Sequence, residues 1–266
     1  VKQGAATSHD AAQGLRFALA KFRPTALPAT LVIRSALHDR LAAGAGQRLT
    51  VVVGSAGAGK SVLLSSWAAA RPPDTTSWLS CDKADADPVR FWTGFIEASQ
   101  ALAPGFGADA AGLLTMDRDV SADVTASIAN DAAQLPAGSA VVVDDFHATA
   151  AGVSGSMTDL VECWPAEVAQ LVLASRVDPS LRLHRLRISG ELCELRDDDL
   201  HFSLAESGSL LANFGVEIGA AELALLHQRS EGWAAALQMA ALSLRGTTDP
   251  VRAARALEVR THTIAE

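Results

Sequence analysis

Short continuous apolar runs alternate with longer stretches of helical spacing through the first two-thirds of the chain, and helical spacing alone fills the remainder. Residues 49–53 (Leu-Thr-Val-Val-Val) and 140–143 (Ala-Val-Val-Val) lack polar alternation, as expected of strands buried on both faces of a parallel sheet. Residues 76–81 read as a second strand, and 171–176 as another short buried strand with polar residues at its carboxyl end. Helical periodicity is predicted at 31–42, ending at a glycine break, and at 62–70, 87–103 and 121–135. Asp87 is placed to cap the third of these, with Pro88 at its first position. Residues 105–119 are glycine-rich and aperiodic and predict a loop. From residue 206 onward only helices are expected, at 206–214, 220–229, 232–244 and 251–258. Strands alternating with helices, then helices alone, predict an α/β fold: a parallel sheet sandwiched by helices, followed by a smaller helical module. The expected division is a flexible leader at 1–23 with a weak helical patch at 15–22, a sheet domain at 24–195, and a lid-like or winged-helix-like helical module at 196–266. Residues 24–28 should be extended, because each proline disfavours helix in the residue before it.

Composition narrows the classes. A chain of 266 residues with 49% hydrophobic content can bury a substantial core. Its net charge of −8 argues against broad electrostatic attraction to nucleic acid. Cys81, Cys163 and Cys193 are odd in number and widely spaced, which suggests neither a disulfide framework nor a zinc site. No apolar run approaches the roughly 18 to 20 residues that span a bilayer, and no signal peptide opens the chain, so a cytoplasmic protein without membrane contact is expected.

Candidate chemistry begins immediately after the first strand. Gly54-Ser55-Ala56-Gly57-Ala58-Gly59-Lys60-Ser61 matches G-x-x-x-x-G-K-S, and a helix beginning near Val62 follows it. Glycines let the backbone curl with its N–H groups inward, the helix N-terminus adds partial positive charge, and Lys60 adds a full one. This pattern predicts a cradle for a polyphosphate, formed by residues Gly54 through Val62, with Ser61 ligating Mg²⁺. The run at 140–143 ends in Asp144-Asp145. Ligands of parallel sheets lie beyond the carboxyl ends of the strands, so both carboxylates should face the loop. Asp144 is the candidate for holding Mg²⁺ through water, and Asp145 for orienting the attacking water. By the same geometry Arg176, at the carboxyl end of the strand at 171–176, is a candidate sensor of the distal phosphate. Arg182, His184, Arg185 and Arg187 alternate with leucines and an isoleucine; a phosphate or partner surface and a solvated edge are both compatible with that pattern.

Taken in order, these residues resemble a known family. Its landmarks are Lys21-Phe22-Arg23-Pro24, Ile33-Arg34-Ser35-Ala36-Leu37, the phosphate loop, Ser65-Ser66-Trp67-Ala68, and Trp78-Leu79-Ser80-Cys81-Asp82. Further on come Val143-Asp144-Asp145-Phe146-His147, Leu173-Ala174-Ser175-Arg176, and Glu231-Gly232-Trp233-Ala234-Ala235-Ala236-Leu237-Gln238. From about Lys21 to Gly246 the chain resembles the nucleotide-binding module of the signal-transduction ATPases with numerous domains (STAND), in the branch of large LuxR-type, MalT-like transcriptional regulators. The resemblance implies a P-loop NTPase that switches between ADP-bound resting and ATP-bound self-associating forms, with slow hydrolysis. It implies phosphate and Mg²⁺ binding by Lys60 and Ser61, hydrolysis served by Asp144 and Asp145, and sensing by Arg176. Trp233 occupies the place of a proline that approaches adenine in related switches, and Arg34 would cover the base from the leader side. DNA binding would belong to a C-terminal domain absent from this chain, whose end at Glu266 inside a helical pattern reads as a fragment. Two alternatives stay open: a continuously turning-over P-loop ATPase such as a motor or remodelling factor, and a module that holds ADP without hydrolysis.

Overall fold

The computed structural model describes residues 17–116, 120–149 and 151–247. Most of the leader, residues 1–16, and the helix expected at 251–258 lie outside them. In chain order, a 3₁₀ turn at Leu19–Phe22 precedes α1 (Ser35–Ala43), β1 (Leu49–Val53), α2 (Lys60–Ala69), β2 (Thr76–Ser80) and α3 (Pro88–Ser99). Next come α4 (Ala108–Met116), α5 (Ala122–Ala132), β3 (Ser139–Asp144), α6 (Ala151–Cys163), β4 (Ala169–Ser175), α7 (Leu183–Ser189) and β5 (Leu192–Leu195). The single turn α8 (Asp197–Leu200) then leads into α9 (Leu204–Asn213), α10 (Ala220–Ser230) and α11 (Ala234–Leu244). All five strands are parallel, in the order β2-β3-β4-β1-β5.

Each sheet face has its own core, because successive strand residues point to opposite sides. Leu49, Val51, Val53, Val141, Val143, Leu171 and Leu173 meet an aromatic layer that includes Phe91, Trp92, Phe95 and Trp164. Val52, Ala140, Val142, Val172 and Ala174 face α1 and α2 through Leu37, Leu41, Leu63, Leu64 and Trp67. A third apolar cluster joins α9, α10 and α11 around Leu211, Leu226, Leu237 and Ala241. Partly buried Val32 packs against it and ties the segment before α1 to the C-terminal helices.

Several elements differ from the sequence reading. The expected loop at 105–119 contains α4: Ala110 and Leu114, four residues apart, are buried, and Gly107 donates its N–H to Asp131 at 2.6 Å. Glycines flanking and within this helix disguised its short apolar stripe. The basic stretch is helix α7 rather than an alternating edge. Leu183 and Leu186 turn inward, while Arg182 meets Glu162 at 3.0 Å and Arg187 meets Glu194 at 2.7 Å. Neither α6 nor β5 was anticipated.

Edge strand β5 is clamped by charge. Glu194 accepts two hydrogen bonds from Arg187, both at 2.7 Å, and another from Arg196, which also pairs with Asp178. The Arg187 hydrogen bonds outweigh partial burial and, with Arg196, hold the Glu194 carboxyl near about 2, against an ordinary 4.5. A depressed carboxyl stabilises the fold above its unfolded value, and that contribution is lost as pH falls through the folded value. Glu194→Gln is therefore expected to cost about 1 kcal/mol at pH 7 after solvent screening. The gap to the parent should close between pH 4.5 and 2 in denaturation series. A gap that stays constant with pH would contradict the clamp.

Candidate nucleotide site

The phosphate loop spans the gap from β1 to α2. Gly57 (φ 77°) and Gly59 (φ 88°) adopt left-handed conformations that disfavour a side chain, and Gly59 forms the N-cap of α2. Lys60 is buried, and its ammonium donates to the carbonyls of Gly54 at 2.7 Å and Ser55 at 2.9 Å. Burial lowers its pKa, opposed by the nearby charges of Asp145 and Asp144, and Arg176 lowers it further.

Strand order brings the acids to this loop. β4 lies between β1 and β3, with Val53 level with Ser175 and Val143 level with Leu173, so the three carboxyl ends share one rim. Asp144 is 2% exposed, and its carboxylate accepts the Asp145 N–H at 2.9 Å. Burial raises the Asp144 carboxyl's pKa, opposed by the neighbouring Ser61 side chain. A buried carboxylate beside a hydroxyl at the head of α2 is a donor set suited to Mg²⁺ when phosphate oxygens complete the shell. That ion would neutralise charge on the distal phosphates. Among the described residues no cluster of three or more His, Cys, Asp or Glu side chains forms a metal site on its own. Asp145 is left-handed at φ 54°, and its side chain is 42% exposed toward solvent. His147 Nδ1 is buried 3.8 Å from an Asp145 carboxylate oxygen, and burial lowers the imidazole's pKa despite that neighbour. Arg176 is exposed just past β4, close enough to influence both Lys60 and His147 electrostatically.

The C-terminal elements bond the loop directly. Asp197, at the start of α8, accepts the Ser55 N–H at 2.7 Å. Trp233 is buried and donates its indole N–H to Ala56 O at 3.2 Å, while Ala235 N–H donates to Gly57 O at 3.1 Å. A Cβ on Gly57 would lie 2.7 Å from the Ala235 Cβ, so this approach requires glycine. Arg34 does not face open space with its charge. Its guanidinium binds the Glu206 carboxylate at 3.0 and 3.2 Å and the carbonyls of Leu200 (2.5 Å) and His201 (2.7 Å), and stacks 4.8 Å from the centre of the Phe202 ring. It pins the entrance of α1 to the start of the helical segment.

Beside the loop opens a cavity of about 240 Å³, bordered by Gly57, Gly59, Val62, Leu31, Phe202 and Ala234. Arg34 and His38 also line it. Asp197, His38 and Phe202 escaped the sequence reading; the acidic run Asp197-Asp198-Asp199 was the one visible signal of the first.

A parallel 2-3-4-1-5 sheet with a phosphate loop after β1 and an acidic end on β3 defines a P-loop NTPase. Comparisons agree. No protein-family model matches the chain. It is 31% identical over 251 residues to serine/threonine-protein kinase PknK of Mycobacterium tuberculosis, covering 92% of this chain and 22% of that protein. It is 30% identical over 232 residues to the HTH-type transcriptional regulator MalT of Cronobacter sakazakii, covering 86% of this chain and 25% of the regulator. The chain thus spans about a quarter or less of these relatives' lengths. Its fold matches a Walker-type ATPase of Pyrococcus abyssi (TM-score 0.55, 16% identity, 88% of this chain and 73% of that one). It also matches a STAND protein with a tetratricopeptide-repeat sensor from Pyrococcus horikoshii (TM-score 0.53, 17% identity, 80% and 30% covered). The chain is thus similar over most of its length to one segment of MalT-type regulators, and it has the P-loop ATPase fold found in the STAND protein. Among the described residues no helix is long and apolar enough to cross a membrane.

Proposed function

We propose that this module is a nucleotide-operated regulatory switch that binds ATP or ADP with Mg²⁺, hydrolyses ATP slowly, and reports the bound nucleotide through its helical segment. The observation that carries this reading is the trio of hydrogen bonds joining three successive loop residues to the C-terminal segment: Ser55 N–H donates to Asp197, while Trp233 and Ala235 donate to the carbonyls of Ala56 and Gly57. An arriving phosphate meets the Asp197 carboxylate as like charge and competes for the same loop, so occupancy and helix position are thermodynamically linked. Segments 24–195 and 196–266 would be the two working parts.

In this reading Lys60 and the amides from Gly54 through Val62 hold the phosphates, and Ser61 with Asp144 holds Mg²⁺. Asp145 orients the attacking water and Arg176 senses the distal phosphate. Arg34 and Trp233 act at the base side, Arg34 by fixing the cavity wall and Trp233 by holding the loop. A regulatory role accords with the relatives' names, a transcriptional regulator and a protein kinase. Self-association in the ATP state, and DNA contact through a region outside this chain, extend the proposal to an intact cytoplasmic regulator. The net charge of −8 fits a division in which this part leaves DNA alone.

Two measurements test the reading together: mass spectrometry of nucleotide released from purified protein, and single-turnover hydrolysis. Co-purified ATP or ADP and turnover slower than about once per minute without a partner are expected. Much faster turnover would identify a continuously working ATPase. Retained ADP with no hydrolysis would identify a static binding module. Either result sinks the slow switch.

A further inference from the structure

The acidic end of β3 runs straight into a tight turn. Asp145 is left-handed at φ 54°, its carbonyl accepts the Ala148 N–H at 2.8 Å, and its own N–H is taken by Asp144. The 3₁₀ turn that follows, Phe146–Thr149, is anchored on both sides of His147. Phe146 is buried and meets Phe91 edge-on, and the Thr149 hydroxyl donates to the Phe146 carbonyl at 2.9 Å. His147 is thereby returned toward the side chain of Asp145. Its Nδ1 is buried without a hydrogen-bond partner, and an Asp145 carboxylate oxygen lies 3.8 Å away, beyond hydrogen-bond length. The two groups differ in freedom, since the imidazole side chain is 22% exposed and the carboxylate 42%. Lys60 and Arg176 both act on the ring electrostatically, so it stands in the field of the phosphate site. Burial outweighs the Asp145 charge and keeps the imidazole below its ordinary 6.5, neutral at pH 7 with one ring proton to donate. An unpaired buried nitrogen is costly, and hydrogen bonds that serve catalysis are often long in an unliganded site and tighten with substrate.

We propose that His147 is a positioning residue for hydrolysis: with ATP on the phosphate loop, its Nδ1–H donates to the Asp145 carboxylate and holds it in the rotamer that orients the attacking water. This inference rests on the hydrolytic reading of Asp145 above and goes beyond it by assigning what holds that acid. A half-exposed carboxylate samples several rotamers, whereas water activation needs one of them held within narrow limits. The anchored turn supplies the fixed partner, and the short movement that closes 3.8 Å to a normal length falls to the freer Asp145 side chain. His147 itself forms no bond to substrate and gives up no proton.

Single-turnover hydrolysis beside equilibrium ATP binding, both with Mg²⁺ on the purified protein, tests the assignment. His147→Leu is expected to slow hydrolysis about tenfold, the worth of one hydrogen bond to a charged group, with ATP affinity within about threefold of the parent. His147→Asn, whose amide N–H falls near the place of Nδ1, should recover most of the rate, and His147→Gln, whose amide reaches toward the place of Nε2, should not. That pair carries the comparison should leucine disturb the turn. In an Asp145→Asn background His147→Leu should cost nothing further, because the group it positions is gone. A parental rate in His147→Leu overturns the proposal and leaves the role of Asp145 standing. Rescue by Gln instead of Asn, or an undiminished loss in the Asp145→Asn background, overturns it too, since the ring would then act on something other than that carboxylate. A fall in ATP affinity as large as the fall in rate also overturns it, because His147 would be supporting the fold. Wild-type protein that binds ATP without hydrolysing it overturns the hydrolytic reading and this proposal together.

Discussion

Lys60→Ala is expected to weaken ADP and ATP binding at least about 100-fold, the largest change in affinity available from one side chain of this site. At an effective dielectric near 20, an ammonium about 4 Å from one phosphate charge contributes roughly 4 kcal/mol before desolvation. Part of that cost is already met. Lys60 is buried in the free protein, held by two loop carbonyls, so binding exchanges those partners for phosphate without first stripping a hydrated side chain. Removing it leaves the loop amides and the α2 N-terminus as the main remaining attraction, against the repulsion of Asp144, Asp145 and Asp197. Those acids are near enough to act on Lys60 itself. Titration calorimetry with ADP, together with circular dichroism to show the fold intact, checks the expectation. A variant that folds and binds ADP like the parent would remove the loop from nucleotide binding.

The central strands were legible in the sequence because burial on both faces forces continuous apolar runs. β1 and β3 fall where those runs fall, and Asp87 accepts the Arg90 N–H at 2.9 Å as the Asp-Pro start of α3 suggested. Elements with narrow apolar stripes were harder. In α6, Gly152 and Gly155 interrupt the buried set Val153, Met157 and Leu160, while β5 is four residues long and carries Glu194 in its middle. The phosphate loop was readable because its chemistry is local in sequence, and Asp144 because strand ends point to the site. Asp197 could not be read so. It reaches Ser55 across 142 residues, through a packing arrangement that no periodicity encodes.

Asp145→Asn is expected to leave ATP binding within about threefold of the parent while slowing hydrolysis at least about 100-fold, within the usual range for a lost general base. Asparagine is the informative replacement because the backbone here is left-handed, φ 54°, a conformation that Asn and Asp tolerate and Ala does not. Asp145→Ala would also be expected to slow hydrolysis, but it adds backbone strain to the loss of the carboxylate. The two acids should separate in their effects. Under the proposed assignment Asp144, buried beside Ser61 and accepting the Asp145 N–H, would lie on the metal side, and Asp144→Asn should raise the Mg²⁺ concentration needed for binding ATP. Asp145 is the more exposed acid, with His147 at 3.8 Å as its neighbour, a setting for a group that meets water rather than metal. Single-turnover hydrolysis beside equilibrium ATP binding distinguishes them. If Asp145→Asn hydrolyses at the parental rate, water activation must come from another group, and the exposed carboxylate at the end of β3 has no catalytic role.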